Sequence, residues 1–129
     1  MKVALLASAV NSHEVAFRDV LAEKIRVLGA EIIFWEGTDL KVPDIDVLTV
    51  LLDGRPLSAI DNIRLGLFRQ MADMGKRKPK QLIVAYEYAK KAGDEYKDLK
   101  IFEHIAGTER NFIYCLKDYI FFANQHGVK

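Results

Sequence analysis

The apolar run Val47-Leu48-Thr49-Val50-Leu51-Leu52 stops abruptly at Asp53-Gly54-Arg55-Pro56. It is long enough for a strand buried on both faces and too short to span a membrane. A strand of this kind has to be covered above and below, which restricts the chain to architectures that lay helices on both sides of a sheet. In open parallel sheets, ligands bind at the carboxyl ends of the strands. Asp53, Gly54 and Arg55 begin where this strand leaves the core, so they are the first candidates for chemistry.

The rest of the chain alternates strand and helix patterns. Residues 2–7 read as a buried first strand. Asn11 or Ser12 then caps a helix to about Leu28, with Glu14 completing a capping box and Val15, Val20, Leu21, Ile25 and Leu28 as its inner face. Gly29 ends that helix. Residues 30–35 form a second strand, 36–46 a loop and 47–52 the third strand. A helix starting at Ser58, with Asp61 in capping-box position, carries Ile60, Ile63, Leu67, Met71 and Met74 as its apolar stripe and ends at Gly75. The basic run 76–80 is a solvated turn, and 81–85 a fourth strand. Residues 86–97 are ambiguous, with room for a short helix, and 99–105 make a poorer fifth strand. Thr108 caps a last helix over about 109–125, which ends at Gly127. This order predicts an α/β fold, a flavodoxin-like three-layer sandwich with a mostly parallel sheet of about five strands.

With 129 residues and neither repeat nor linker, the chain reads as one domain, 1–129. A net charge of +1 gives no general pull on nucleic acid or anionic membrane. The lone Cys115 has no internal disulfide partner and reads as a structural thiol in the last helix, which favours a reducing, cytoplasmic setting. The amino-terminal apolar residues run straight into Asn11, Ser12, His13 and Glu14, the mark of a strand rather than a targeting segment. His13, His104 and His126 are isolated, so neither a metal nor a cofactor is implied. Ser8-Ala9-Val10-Asn11 holds no glycine, which argues against a dinucleotide fold and a P-loop.

The remaining candidates cluster at expected strand ends: Ser8, Asn11 and His13 after the first, Asp53 to Ser58 after the third, and Tyr86 and Glu87 after the fourth. The start of the Ser58 helix adds N–H groups that favour anions. Each candidate also has an ordinary structural role. Asp53 can bond its own turn, Asp61 can answer the helix dipole, Arg64 can pair with Asp61 one turn on, and Glu87 and His13 can be surface residues.

In three stretches the pattern resembles the nucleoside 2-deoxyribosyltransferase-like superfamily: the opening strand and helix with Phe17, Leu21, Gly29 and Ala30; the strand ending Leu52-Asp53-Gly54; and the helix through Gly66 with the basic turn and strand after it. The last helix, beginning Glu109-Arg110-Asn111-Phe112, is similar to the family's terminal helix, whose asparagine enters a neighbouring subunit's site. The resemblance implies a flavodoxin-like fold, an oligomer (a dimer or larger), a small nucleoside or nucleotide ligand, and cleavage or transfer at an N-glycosidic bond. One departure is specific. The family pattern Asp-x-Gly-Thr-x-x-Glu-x-Gly, laid on residues 58–66, keeps only Gly66 and puts the nucleophilic glutamate on Arg64. A guanidinium stays protonated and cannot attack a sugar.

Two readings follow. In the first, the protein is a hydrolase or transferase in which Asp61 and Asp53 supply the carboxylates that an oxocarbenium-like state requires. Arg64 then holds a phosphate, and Ser8, Asn11, His13, Gly54, Arg55, Ser58, Tyr86, Glu87 and Asn111 line the site. In the second, it is a catalytically inactive nucleotide-binding module that signals or scaffolds as an oligomer. A phosphoacceptor receiver fits less well, since no acid follows the first strand. The surplus apolar surface of the last helix (Phe112, Ile113, Leu116, Ile120, Phe121 and Phe122, with Tyr114 and Tyr119) suggests a homo-oligomer interface.

Overall fold

A computed structural model describes residues 1–6, 12–35, 40–52, 57–75, 80–88 and 102–125. The elements are β1 (Lys2–Leu6), α1 (Ser12–Val27), β2 (Glu31–Phe34), β3 (Val47–Leu52), α2 (Ala59–Met74), β4 (Leu82–Glu87), β5 (His104–Ala106) and α3 (Glu109–Gln125). The sheet order is β2-β1-β3-β4-β5. Every pairing is parallel, with Val3 opposite both Ile32 and Val47, Leu52 opposite Glu87, and Tyr86 opposite Ala106. All six residues of β3 are buried, as its composition requires of a central strand.

Alternate residues of each strand serve opposite faces. Ala4, Leu6, Leu48, Val50, Leu52, Ile83 and Ala85 meet Leu65, Phe68 and Ala72 of α2. Val3, Leu5, Val47, Leu51, Val84 and Tyr86 meet Leu21, Ala22 and Ile25 of α1, and Phe112, Leu116 and Tyr119 of α3. The result is a three-layer α/β sandwich of the flavodoxin-like kind, with α1 and α3 on one face and α2 on the other. The β1-to-β2 connection runs one way along the sheet and the β3-to-β4 connection the other. Right-handed crossovers therefore place their helices on opposite faces, and the direction switches between β1 and β3. At the amino edge, Lys2 N–H donates to Asp46 Oδ2 at 2.8 Å and Leu82 N–H to the Asp46 carbonyl at 3.1 Å, which ties β1, β3 and β4 together.

Helix ends match the sequence reading closely. Gly29 takes φ 95°, the left-handed value for which glycine is favoured after a helix. Thr108 Oγ1 accepts the Asn111 N–H at 3.1 Å and caps α3. The interior of α2 differs from expectation. Ile63, Met71 and Met74 are exposed, while Asp61, Arg64, Leu65, Phe68 and Ala72 face the sheet. Val20 of α1 is also exposed, and Ala22 takes the buried place beside Leu21. β4 runs on to Glu87, so Tyr86 and Glu87 finish the strand rather than follow it. β5 is described over three residues, His104–Ala106. The possible short helix within 86–97, the turn 76–79 and Gly127 lie outside the described residues, apart from the β4 residues just named.

Candidate functional site

The three described helices begin at the carboxyl edge of the sheet, because each follows a parallel strand. The best-defined cluster there is the first turn of α2. Ser58, extended at φ −61° and ψ 159°, is its N-cap, and its Oγ accepts the Asp61 N–H at 3.2 Å. The Asn62 side-chain amide donates to the Leu57 carbonyl at 3.2 Å and fixes the chain just before the cap. Ser58 thus supplies the expected cap, the half of the box that runs from the Asp61 N–H to its hydroxyl, and Asp61 answers the positive end of the helix dipole.

Asp61 and Arg64 are brought together, but inside the protein. Asp61 Oδ1 lies 3.2 Å from Arg64 Nη1, with the two side chains 6% and 3% exposed. Arg64 Nη1 also points to the Trp35 carbonyl at 3.4 Å, and the guanidinium carbon lies 5.8 Å from the centre of the Trp35 ring. Trp35 directly follows β2, so Arg64 reaches from α2 toward the β2 edge of the sheet, on the same face. The expected phosphate-binding arginine is thus an internal brace, and the expected catalytic aspartate is its counter-ion. Two charges this deep in the protein are tolerable because each has its partner. Sequence reasoning missed Trp35. Its signal was modest: a single tryptophan at a strand end, where a buried cation can stack on an indole face.

Tyr86 lies on the other face of the sheet. Its ring is stacked on Phe112, with centroids 5.1 Å apart and planes 6° apart, and tilted against Tyr88 at 6.1 Å. Phe17 stacks on Tyr88 at 4.3 Å and completes this aromatic cluster. Burial pushes the Tyr86 hydroxyl above its ordinary value, and the nearby Glu109 carboxylate adds to the shift. Glu87 is half-buried at the end of β4, while His13 and Asn111 are exposed on the first turns of α1 and α3. Ser8, Asn11, Asp53, Gly54 and Arg55 lie outside the described residues.

Along α3, a hollow of about 350 Å³ is lined by Glu109, Arg110, Ile113, Tyr114 and Lys117. It is separate from the α2 cluster. Among the described residues, no group of three or more His, Cys, Asp or Glu side chains is placed to hold a metal ion. No helix among them is long and apolar enough to cross a membrane.

No protein-family profile matches the chain. No curated protein is significantly similar to it. Its fold is similar to the crystal structure of a conserved protein from Enterococcus faecalis V583, with a TM-score of 0.63 and 13% sequence identity over 92% of this chain and 98% of that one. At that identity the likeness speaks for the fold alone.

Proposed function

We propose that the protein binds a small nucleotide at the carboxyl edge of the sheet, between β1 and β3, and does not turn it over through Asp61. The observation that carries this reading is the buried Asp61–Arg64 pair, 3.2 Å apart, in the first turn of α2. A nucleophilic or proton-donating carboxylate needs access to its substrate. Asp61 is 4% exposed and already holds a guanidinium. The pair instead fixes the start of α2, whose N–H groups and dipole suit an anion.

In this reading Ser8, Asn11, His13, Asp53, Gly54, Arg55 and Ser58 contact the ligand. They belong to the two segments that flank the switch in connection direction, where open α/β sheets take their ligands. Arg55 replaces Arg64 as the phosphate-binding cation, and Asp53 orients a sugar hydroxyl.

The test is a thermal-shift screen of nucleosides, nucleoside monophosphates and nucleoside diphosphates, with chromatography of each mixture for free base. A binder at about 100 times its Kd adds about 2.7 kcal/mol, a rise of several degrees in Tm. The expected result is a shift with phosphorylated ligands, no released base, and loss of the shift in Asp53→Ala and Arg55→Ala. The absence of a shift across the whole panel would overturn the reading. Base release that disappears in Asp61→Asn would return Asp61 to catalysis.

A further inference from the structure

Helix α2 is apolar on two faces, and the sheet uses only one. Leu65, Phe68 and Ala72 are buried against β1, β3 and β4. Ile60, Ile63, Leu67, Met71 and Met74 recur every three or four residues along the other flank. Of these, Ile63 is 51% exposed, Met71 53% and Met74 75%, with Ile60 and Leu67 half-buried. The remaining exposed positions of α2 are Ala59, Asn62, Gly66, Gln70 and Asp73. Asp73 is the one charge among them, and it is paired with Arg69 at 2.9 Å and Lys80 at 3.5 Å. A helix with one face in solvent ordinarily carries charges along it. In a chain that is 29% charged, this face has been kept almost clear of them.

Gly66, halfway along α2 and at the margin of the apolar strip, is an independent observation. Glycine inside a helix weakens it relative to almost any other residue. A Cβ added at Gly66 would meet no described atom within 4 Å, and the position needs no left-handed backbone. Nothing among the described residues therefore requires a glycine here. A missing side chain on an exposed helix face does permit another backbone to come close from outside.

We infer that this face of α2 is the seam of a homodimer, in which α2 packs against α2 of a second copy and the two helices cross near Gly66. A second copy fits because a two-fold contact sets a patch against its own image. A nearly uncharged apolar strip matches its image, whereas a charged strip opposes it. The outer face of α3, the other candidate, is of the second kind. Tyr114 there sits beneath two cations, Arg110 at 5.6 Å and Lys117 at 5.8 Å, and Arg110, Lys117 and Asp118 are all exposed. The seam is also limited in extent. A helix of this length is about 24 Å long, and one face of it supplies well under the roughly 800 Å² per partner of a standard interface. The dimer accordingly dissociates on dilution. The inference stands whether or not a nucleotide binds at the carboxyl edge.

Sedimentation velocity between about 1 and 500 μM, a range suited to a small interface, tests it. The wild type is expected to pass from monomer to dimer, while Ile63→Lys and Gly66→Gln stay monomeric throughout and Phe121→Lys behaves as wild type. At the lowest concentration Gly66→Gln is expected to have a higher urea midpoint than wild type, because glutamine is the better helix former and the space is open. That variant separates lost association from lost folding. A wild type that remains monomeric, a Gly66→Gln protein that dimerises normally or is less stable than wild type, or a dimer dissolved by Phe121→Lys would each overturn the inference.

Discussion

Replacing Arg64 by methionine leaves the buried Asp61 carboxylate without the guanidinium that faces it. The side chains of Asp61 and Arg64 are 6% and 3% exposed, so water cannot readily take the place of the lost partner. Breaking a pair of this kind from one side costs about 3–5 kcal/mol. Loss of the contact with the Trp35 carbonyl and of the guanidinium over its ring puts the expectation for Arg64→Met near 4 kcal/mol. That is a large share of the roughly 5–15 kcal/mol that holds a domain together. The double variant Asp61→Asn/Arg64→Met removes both charges and is expected to be clearly more stable than the sum of the single losses implies, with a coupling of about 2 kcal/mol or more. Urea unfolding followed by tryptophan fluorescence suits the measurement, because Trp35 is the single tryptophan and lies 5% exposed against the pair. With a slope of about 2 kcal/mol per molar urea, the Arg64→Met midpoint should fall by about 2 M. A loss under about 1 kcal/mol, the scale of a surface pair, or strictly additive single variants would refute the brace.

Two further outcomes follow from buried polar groups on the opposite face of the sheet. Thr49 is fully buried in β3, and its hydroxyl has no hydrogen-bond partner among the described residues, so Thr49→Val should raise stability by about 1 kcal/mol, read as a higher urea midpoint. Tyr86 has its hydroxyl pushed above the ordinary value of 10.0 by burial and by Glu109. The unfolded chain therefore releases this proton first as pH rises, so the folded state binds more protons above about pH 10 and loses stability there. Stability measured between about pH 9 and pH 11 should fall less steeply in Tyr86→Phe than in wild type, and equal slopes would remove Tyr86 as the source.

The inner sheet was legible because its strands are written plainly, whereas the end of β4 and the bounds of β5 are not. A run such as residues 47–52 has few alternatives to a central strand, and Thr108 and Gly29 mark helix ends by chemistry that does not depend on the rest of the fold. Helix α2 was misread for a reason that lies in its own composition. Its buried flank opens with Asp61 and Arg64, which look like surface residues until they neutralise each other. Its solvent flank carries isoleucines and methionines, which look like core. Periodicity gives the angle between two faces but not which one meets the sheet. The site was harder to read still. The brace needs Trp35, which is close to Arg64 only because β2 lies on the far side of β1, and no local pattern encodes that strand order. Tyr86 was expected beyond β4, but the strand continues through it, and the ring joins Phe17, Tyr88 and Phe112 in the core.

The parallel pairing of β1 with β3 has a consequence for synthesis. β1 is made before β3, yet Val3 to Leu6 pair on one side with Val47 to Val50. The nascent strand keeps an open, wholly apolar edge until that distant stretch has been translated, and a chaperone or a wrong neighbour has that interval in which to bind it. Every ladder in this sheet joins segments separated by a crossover, and the β1–β3 ladder spans the longest stretch of chain, so its closure carries the largest loop-closure cost.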